Sequence, residues 1–498
     1  MSRPVDAAAT RAPVRVGIWG LFDVEDFGAA AILRVLRHEL ARRIPGLELR
    51  TFSPLGYDHA TRWDGGEPSE PFGPWSPERV GELAEALDAV VVAGEVVVDD
   101  AGLAPAYGLP PEDLVARAPS RFLVEGLGPE LEADCPVAYF AAGLPDPGPH
   151  APRLAAALSP RSIVSVGDEA ARDRLAAAGV AAPVEVVPHP AALLPAAIRP
   201  DVLDRRLEYL RAMGWYPRGE AVVVVGPAGR VDAAPAVAEG LAPLLADRPG
   251  AVVVCAGLAP GDDAFADALA RALGDRAHRP GALTLEDVAA ALQGSAGVVT
   301  SSVAVAAAAA GFERPAILLD LDADPRLEEA AHAADAVVRS ARDVAAALEK
   351  VAAAGSAGEV AAGLAAPLHA ELDRLAAMAV DAGASRGAAR GSVAPDADLE
   401  ELRRRLAALA SAHRTRGRLL VAQRWRFADR VRDSEARERR TRDELERRIA
   451  DLEGERARLE AEVAGKDREL ATLLDTRTFR YTAGLRRLWG RLRGAGRR

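Results

Sequence analysis

Cysteines and long apolar runs are scarce in this sequence of 498 residues. Cys135 and Cys255 are its only cysteines, which excludes a disulfide framework and a cysteine-rich metal site. The eight histidines form no HExxH-like ligand motif, and no stretch of about 18 strongly apolar residues predicts a membrane span. The first 13 residues lack the apolar core of a secretory signal. We therefore expect a cytoplasmic protein with no metal site and no tightly bound cofactor.

Acidic and basic residues are divided unevenly along the chain. The whole sequence carries a net charge of −11, yet residues 401–498 hold 28 basic and 16 acidic side chains, a net of +12. Residues 1–400 therefore carry −23. This division predicts an acidic body followed by a basic extension.

Short apolar runs typical of strands alternate with helical segments through the first 355 residues. The run Val14–Gly20 precedes helical periodicity over Ala29–Arg43, and Ala221–Val225 opens a second series of the same kind. Strands that alternate with helices indicate βαβ units and a mainly parallel sheet. We predict two doubly wound, Rossmann-like domains, residues 14–200 and 201–355, with ligands beyond the carboxyl ends of the strands.

The strand signals stop near residue 356, and four segments follow. They are a helix packing on the body (356–382), a linker rich in Gly, Ser, Ala and Pro (383–398), a helical and coiled-coil region (399–476), and a basic amphipathic tail (477–498). In the third segment apolar residues recur at spacings of four and three, with Arg456 and Lys466 at two intervening positions. This heptad pattern favours a short coiled coil that joins copies of the chain into a homo-oligomer. A single solvated helix is the alternative. The apolar positions are Leu445, Ile449, Leu452, Leu459, Val463, Leu470 and Leu473.

The last segment, Thr478–Arg498, contains no acidic residue. Its helical periodicity separates an apolar face from a basic one. The apolar face holds Leu485, Leu488, Trp489 and Leu492, and the basic positions are Arg486, Arg487, Arg491 and Arg493. A basic amphipathic helix with Trp on its apolar face is typical of an anchor at an anionic membrane surface. Docking on a protein is the alternative; nucleic acid is not expected, because no stacking platform accompanies the charge.

Several segments resemble the polysaccharide pyruvyl transferase family. They are Gly20–Leu33 (GLFDVEDFGAAAIL), Ala89–Val96 (AVVVAGEV), Ser162–Leu175 (SIVSVGDEAARDRL), Val186–Leu194 (VVPHPAALL) and Gly297–Leu318. The segment Leu473–Arg493 resembles the tails of bacterial surface-polysaccharide glycosyltransferases. The resemblance implies a GT-B-like fold and transfer of a pyruvyl group from phosphoenolpyruvate to a polysaccharide or lipid-linked glycan. The predicted anchor in the tail adds a peripheral location at the inner face of the cell membrane.

Five positions depart from the residue types of that family. Ala29, Gly167, His189, Ser301 and Val303 stand where the family has Asp, Arg, Asp, Arg and His. An anionic donor requires cations and a general acid–base, which these substitutions remove. Two alternatives therefore stay open: a GT-B-like glycosyltransferase that uses a nucleotide sugar, and a non-catalytic relative that binds a glycan or a protein partner.

The donor or anion site is predicted at strand ends. Gly20 and Gly28 flank the first βα turn, where the backbone can approach a phosphate, although any tight turn also uses Gly. Thr300, Ser301 and Ser302 open a helix and offer hydroxyl and amide groups, or else a helix cap. Arg230 follows a strand and is the best-placed cation for a phosphate, or else an ordinary surface residue.

Three further residues are candidates for acid–base catalysis. His189 lies between two prolines, and Glu95 and Asp168 lie at strand ends. A purely structural histidine is the alternative for His189. Asp23, Glu25 and Asp26 make the first βα loop acidic, which suits a sugar hydroxyl, a metal-bound phosphate or a solvated loop.

Overall fold

The computed structural model describes residues 13–390, 447–474 and 477–495. The first range excludes residues 25, 57–68, 97, 108–110, 129–134, 145–147, 227–229, 248–250, 255–262, 282, 325–326, 328–333 and 356. Predictions for Glu25, Cys255 and the segment 391–446 therefore lie outside the described residues. The chain divides into two compact units, residues 1–401 and 402–498, which we describe separately.

Seven parallel strands form the sheet of the first domain, in the order β3-β2-β1-β4-β5-β6-β7. They are β1 (Val14–Trp19), β2 (Leu47–Ser53), β3 (Glu70–Pro71), β4 (Ala89–Glu95), β5 (Val137–Gly143), β6 (Val164–Val166) and β7 (Val184–Val186). The central strands β1 and β4 are buried over almost their whole length. Burial on both faces explains why they are continuous apolar runs rather than alternating ones.

Six parallel strands form the second sheet, in the order β10-β9-β8-β11-β12-β13. They are β8 (Ala221–Val225), β9 (Ala251–Val254), β10 (Ala277–His278), β11 (Gly297–Thr300), β12 (Ala316–Leu319) and β13 (Ala336–Val338). Both sheets reverse their strand order once, between β1 and β4 and between β8 and β11, as doubly wound Rossmann-like folds do. The prediction of two consecutive domains of this class is confirmed.

Helices cover both sheets. Those of the first domain are α1 (Phe27–Arg43), α2 (Pro77–Ala86), α3 (Asp100–Tyr107), α4 (Pro111–Arg117), α5 (Pro119–Glu125), α6 (Ala151–Leu158), α7 (Glu169–Ala177) and α8 (Leu194–Ala197). After the link α9 (Pro200–Ala212), the second domain has α10 (Ala234–Asp247), α11 (Asp263–Leu273), α12 (Leu285–Gln293), α13 (Val303–Gly311) and α14 (Val344–Ala354). Short 3₁₀ helices lie at Gly148–His150, Pro190–Leu193, Val231–Ala233, Gly274–Arg276 and Ala341–Asp343.

The alanine-rich helix α13 joins the two domains. It packs against α1, against the 3₁₀ helix Pro190–Leu193 and against the later helix α15 (Ala357–Arg390). Its residues Ala304–Ala310 are all buried, and a Cβ on Gly311 would collide with the carbonyl oxygen of Ala192. Small side chains therefore let the helix lie against the backbone of the first domain, and one apolar core spans the interface.

The helix α15 returns from the second domain to the first, where it packs on β1, β4 and α1. Arg43 of α1 donates to Asp373 at 2.7 Å, and the guanidinium of Arg386 donates to the carbonyl oxygen of Ala84 at 2.5 Å. The helix continues through Pro367 and reaches Arg390, so it includes the first part of the segment predicted as a linker.

The second unit contains two described helices, α16 (447–474) and α17 (Arg477–Ala495). The predicted membrane-contacting side chains lie on α17. Its apolar residues Leu485, Leu488, Trp489 and Leu492 are 60–65% exposed, and the Arg493 guanidinium lies 4.5 Å from the centre of the Trp489 ring. Arg486, Arg487 and Arg491 are exposed as well. The helix therefore offers an apolar face and a basic face to its surroundings.

Candidate functional site

The switch points of the two sheets meet where the domains touch. The chain leaves β1 through Gly20 and enters α1, and it leaves β11 through Ser301 and enters α13. A Cβ atom placed on Gly28 would lie 3.2 Å from the Cβ of Ala304. The first turns of these two helices are therefore in contact, and both switch points border one interdomain site.

Three titratable side chains lie around Gly28. Asp26 caps α1, and its Oδ1 accepts a hydrogen bond from the N–H of Ala29 at 2.7 Å. The Cβ position of Gly28 lies 3.1 Å from Asp26 Oδ1 and 3.3 Å from His189 Nε2, so these two atoms are close to each other. Glu95, at the end of β4, is near enough for its charge to raise the pKa of Asp26. We call Asp26, Glu95 and His189 the acid–base cluster.

Burial sets the protonation of this cluster. Burial, together with the charge of Glu95, raises the pKa of Asp26 from 3.8 to about 6. Burial lowers the pKa of His189 from 6.5 to about 4, so this ring is neutral at pH 7. The Nδ1 of His189 accepts a hydrogen bond from the N–H of Ala191 at 3.2 Å. A neutral imidazole with Nδ1 as acceptor carries its proton on Nε2, which therefore points a donor towards Gly28.

The hydroxyl groups at the end of β11 take part in the capping of α13. Ser302 is the N-cap, and its Oγ accepts from the N–H of Val305. The buried Oγ1 of Thr300 accepts from the N–H of Ser302 at 2.9 Å, and the N–H of Ser301 donates to the carbonyl oxygen of Val225. Ser302 therefore acts as a helix cap, as the alternative interpretation of this segment predicted, whereas the bond from Ser301 to Val225 continues the pairing of β11 with β8. The Ser301 side chain is half-buried.

The remaining polar candidates have partners within the fold. Arg230 forms ion pairs with Asp232, at 3.1 Å, and with Asp322. Asp168 caps α7 by accepting from the N–H of Ala171 at 2.6 Å. Arg230 therefore already has two carboxylate partners, and an incoming phosphate would compete with both.

The loop after β1 is fixed by packing. A Cβ on Gly20 would lie 2.5 Å from the carbonyl oxygen of Ala93, so only glycine fits between β1 and β4. Asp23 is buried and accepts hydrogen bonds from Tyr107 Oη at 2.6 Å and from the N–H of Leu55 at 2.8 Å. Burial raises the pKa of the Asp23 carboxyl, while these hydrogen bonds oppose the rise. Asp23 thus ties this loop to its neighbours.

The acid–base cluster can bind and deprotonate a hydroxyl group. At pH 7 the Asp26 carboxylate accepts hydrogen bonds, and its pKa near 6 suits a general base. The Nε2–H of His189 supplies a donor. Sequence reasoning identified His189 and Glu95 but treated Asp26 only as part of an acidic loop. Its position just before a helical segment was the available signal, whereas its burial was not visible. Within the described residues, no group of three or more His, Cys, Asp and Glu side chains could hold a metal ion.

Comparisons with known proteins give structural likeness only. No family model matches the sequence, and no curated protein matches it. Among solved structures, UDP-GlcNAc 2-epimerase from Neisseria meningitidis bound to UDP-GlcNAc is 13% identical, covers 74% of this chain and 98% of its own, and has a TM-score of 0.44. UDP-GlcNAc 2-epimerase from Methanocaldococcus jannaschii is 13% identical, with coverages of 67% and 91% and a TM-score of 0.46. The E. coli ADP-heptose lps heptosyltransferase II is 14% identical, with coverages of 68% and 99% and a TM-score of 0.38. Likeness at this level assigns this chain neither a family nor an activity.

Proposed function

We propose that this chain works in the assembly of a cell-surface polysaccharide and binds a glycan in its interdomain site, as a relative of polysaccharide pyruvyl transferases. The observation that supports this is the acid–base cluster at the meeting of the two switch points. Carboxylates and a neutral imidazole are suitable partners for sugar hydroxyls, since both groups exchange hydrogen bonds with them. We therefore assign the first-domain side of the site to the acceptor sugar.

In this proposal Asp26 is the general base of a transfer reaction. Its carboxylate takes the proton of an acceptor hydroxyl, and the Nε2–H of His189 holds the acceptor oxygen. That oxygen bonds to the donor carbon, and the bond from this carbon to its phosphate oxygen breaks, so that phosphate leaves from phosphoenolpyruvate or the nucleotide leaves from a nucleotide sugar. Burial, with a smaller contribution from the charge of Glu95, keeps the pKa of Asp26 high enough for proton uptake. The donor would be phosphoenolpyruvate by the sequence resemblance, with a nucleotide sugar as the alternative donor.

A non-catalytic role in glycan binding is the second candidate, and the surroundings of Arg230 favour it. An anionic donor needs cations, yet this guanidinium is already paired with Asp232 and Asp322. Asp26 also places a carboxylate at the N-terminus of α1, where an anion would otherwise be favoured. These charges suit a neutral glycan better than a phosphate.

Two measurements separate these candidates. Thermal-shift titrations of the full chain with oligosaccharides, phosphoenolpyruvate and nucleotide sugars report binding, because a ligand of the folded state raises the unfolding temperature. Release of phosphate or of nucleotide reports transfer. We expect an oligosaccharide to stabilise the wild type, and the Asp26→Asn and His189→Ala variants to weaken this effect. The control Asp168→Asn, at a cap of similar geometry, should leave it unchanged.

The outcomes are distinct. Product formation with phosphoenolpyruvate or with a nucleotide sugar identifies the transferase and its donor. Glycan binding without transfer of either donor supports the non-catalytic role. No binding of any glycan, or equal binding by the wild type and the Asp26→Asn and His189→Ala variants, would refute the assignment of the site.

We further propose that α17 holds the protein at an anionic membrane surface on the cytoplasmic side. Its apolar residues are exposed beside arginines, and an arginine near anionic lipid contributes about 1 kcal/mol. Among the described residues no single helix is long and apolar enough to cross a membrane; the bent pair Ala341–Ala354 and Ala357–Arg386 meets that test only jointly, across an 80° break. A peripheral contact needs no such span.

Vesicle co-sedimentation tests this location. Removing residues 478–498 should abolish binding to vesicles that contain anionic lipid and leave the unfolding temperature of the body unchanged. Trp489→Ala should weaken binding, whereas neutral vesicles should bind neither form. Equal sedimentation of full-length and shortened chains would contradict the proposal.

A further inference from the structure

An apolar stripe runs along the whole of α16. Its side chains stand three, four or seven residues apart, which keeps them on one face of a helix. Each is between 51% and 61% exposed to solvent. We call this set the heptad stripe: Ile449, Leu452, Leu459, Val463, Leu470 and Leu473. Solvent exposure of six large apolar side chains on one face is unfavourable, so we expect another apolar surface with the same periodicity to pack against the stripe.

We propose that the covering surface is the same stripe of a second copy of this chain, in a parallel, in-register coiled coil. In heptad notation the first position of the stripe, Ile449, is an a position, and Leu452 is the following d position. Arg456 then occupies an a position and Lys466 a d position. The two cations stand inside the stripe, and their surroundings decide which partner fits.

The charges beside the stripe complement a parallel copy. In such a pair an a side chain lies beside the partner's preceding g residue, and a d side chain lies beside the partner's following e residue. Arg456 would therefore meet Glu455 of the other copy, and Lys466 would meet its Asp467. Within one helix, Arg456 already bonds Glu460 at 2.8 Å, and Lys466 lies 3.7 Å from Glu469, so each cation would have a carboxylate on its own helix and one on the partner helix.

These two cations also reduce the repulsion between acidic residues on either side of the stripe. The pairs Glu455 with Glu460 and Glu462 with Asp467 would face each other across a parallel dimer and repel. Each pair borders a heptad that contains Arg456 or Lys466. A cation at these buried positions weakens an apolar seam but offsets the acidic edges, and it fixes the register of the copies.

The same frame explains where the coiled coil ends. Continued beyond Leu473, its a and d positions fall on Arg477, Arg480, Gly484, Arg487 and Arg491. Four like charges and a glycine cannot form a seam between two copies. The two α17 helices would therefore separate, with their apolar residues free to contact another surface. Because the copies are parallel, both tails leave from the same end, so two membrane contacts would act together.

Mass measurement of the full chain tests the dimer. At micromolar concentration we expect light scattering to give about twice the chain mass of 52.1 kDa. The double change Leu459→Asp with Val463→Asp places charges in the seam and should give a monomer. The matched control Ala461→Asp adds a charge on the opposite face of α16 and should stay dimeric. A monomeric wild type, or a dimer that survives the double change, would overturn the proposal.

Disulfide trapping tests whether the two helices of the coiled coil are parallel. Leu452→Cys on each copy should form an intermolecular disulfide under mild oxidation, because equal d positions face each other only in a parallel pair. The wild type controls for its own two cysteines. If cross-linking instead requires Leu452→Cys on one copy and Leu470→Cys on the other, the copies are antiparallel and the proposed pairing is wrong.

Discussion

Asp26→Asn should stabilise the folded protein at neutral pH, although it changes a residue of the candidate site. In the wild type the carboxyl has a pKa of about 6, raised by burial and by Glu95 from 3.8. At 1.36 kcal/mol per pKa unit, holding the ionised form at pH 7 costs up to ~3 kcal/mol. Because the Asp26 side chain keeps some contact with solvent, we expect ~1–2 kcal/mol.

The stabilisation by Asp26→Asn should depend on pH in a way that distinguishes it from a simple change in packing. A carboxyl whose pKa is higher in the folded state binds its proton more tightly there, so the cost is absent below pH 4 and grows until pH 6. Asparagine stays neutral at all pH values and can still accept the hydrogen bond of the Ala29 N–H. The stabilisation by Asp26→Asn should therefore appear only as the pH rises from 4 to 6. Thermal unfolding over this range should show a gain of about 2–6 °C at pH 7.

Asp168→Asn is the matched control for this measurement. Asp168 also caps a helix through its Oδ1, at 2.6 Å from the N–H of Ala171, but it lies 3.7 Å from the Arg174 guanidinium. Loss of a charge beside a cation should bring no stabilisation at pH 7. If Asp26→Asn destabilises the protein at pH 7, or stabilises it equally at pH 4, then Asp26 is an ordinary cap and the reasoning is refuted.

Two other changes, one of them with a matched control, test the domain packing and a buried ion pair. Gly311→Ala places a methyl group against the carbonyl oxygen of Ala192, so it should destabilise the domain interface by about 1–3 kcal/mol. The control Gly81→Ala lies at a helical position with open space and should stabilise the protein by about 0.5–1 kcal/mol. Urea unfolding measures both effects. Glu39→Gln should cost about 1–3 kcal/mol at pH 7 because Arg43 loses a buried partner. Burial opposes ionisation of Glu39, but the neighbouring arginines outweigh it and lower the pKa of this carboxyl. The destabilisation by Glu39→Gln should therefore fade as the pH falls below 4.5, where the wild-type carboxyl takes up its proton. A destabilisation that does not depend on pH would disprove the charge argument.

The fold could be predicted because its main signals are local. Unbroken apolar runs such as Ala221–Val225 can be buried only between two layers of helices, and their alternation with helical segments gives parallel sheets. The ends of helices could be predicted less well. The helix that begins at Ala357 extends to Arg390 through several glycines and Ser385, because its contacts with the first domain compensate for poor helix formers.

The site could be predicted only as a region. The sequence indicated Glu95 by its place at a strand end and His189 by its place between two prolines, and parallel topology implied that strand-end residues gather at one edge. Their proximity to Asp26 depends on the tertiary packing of the first domain, in which the 3₁₀ helix Pro190–Leu193 lies against α1. The ion pair of Arg230 with Asp322 could not be predicted from the sequence either, since these residues lie far apart in the chain.

By itself the sequence determined the two Rossmann-like domains, the heptad stripe and the charge division between body and extension. These are properties of periodicity and composition, which neighbouring residues fix without reference to distant parts of the chain. Only the tertiary structure decided which polar residues serve as caps and ion pairs, and which carboxyl becomes a candidate base. The reason is physical: a pKa depends on desolvation and on charges within a few ångströms, and Asp26 comes to lie beside Glu95 and His189 only in the folded chain.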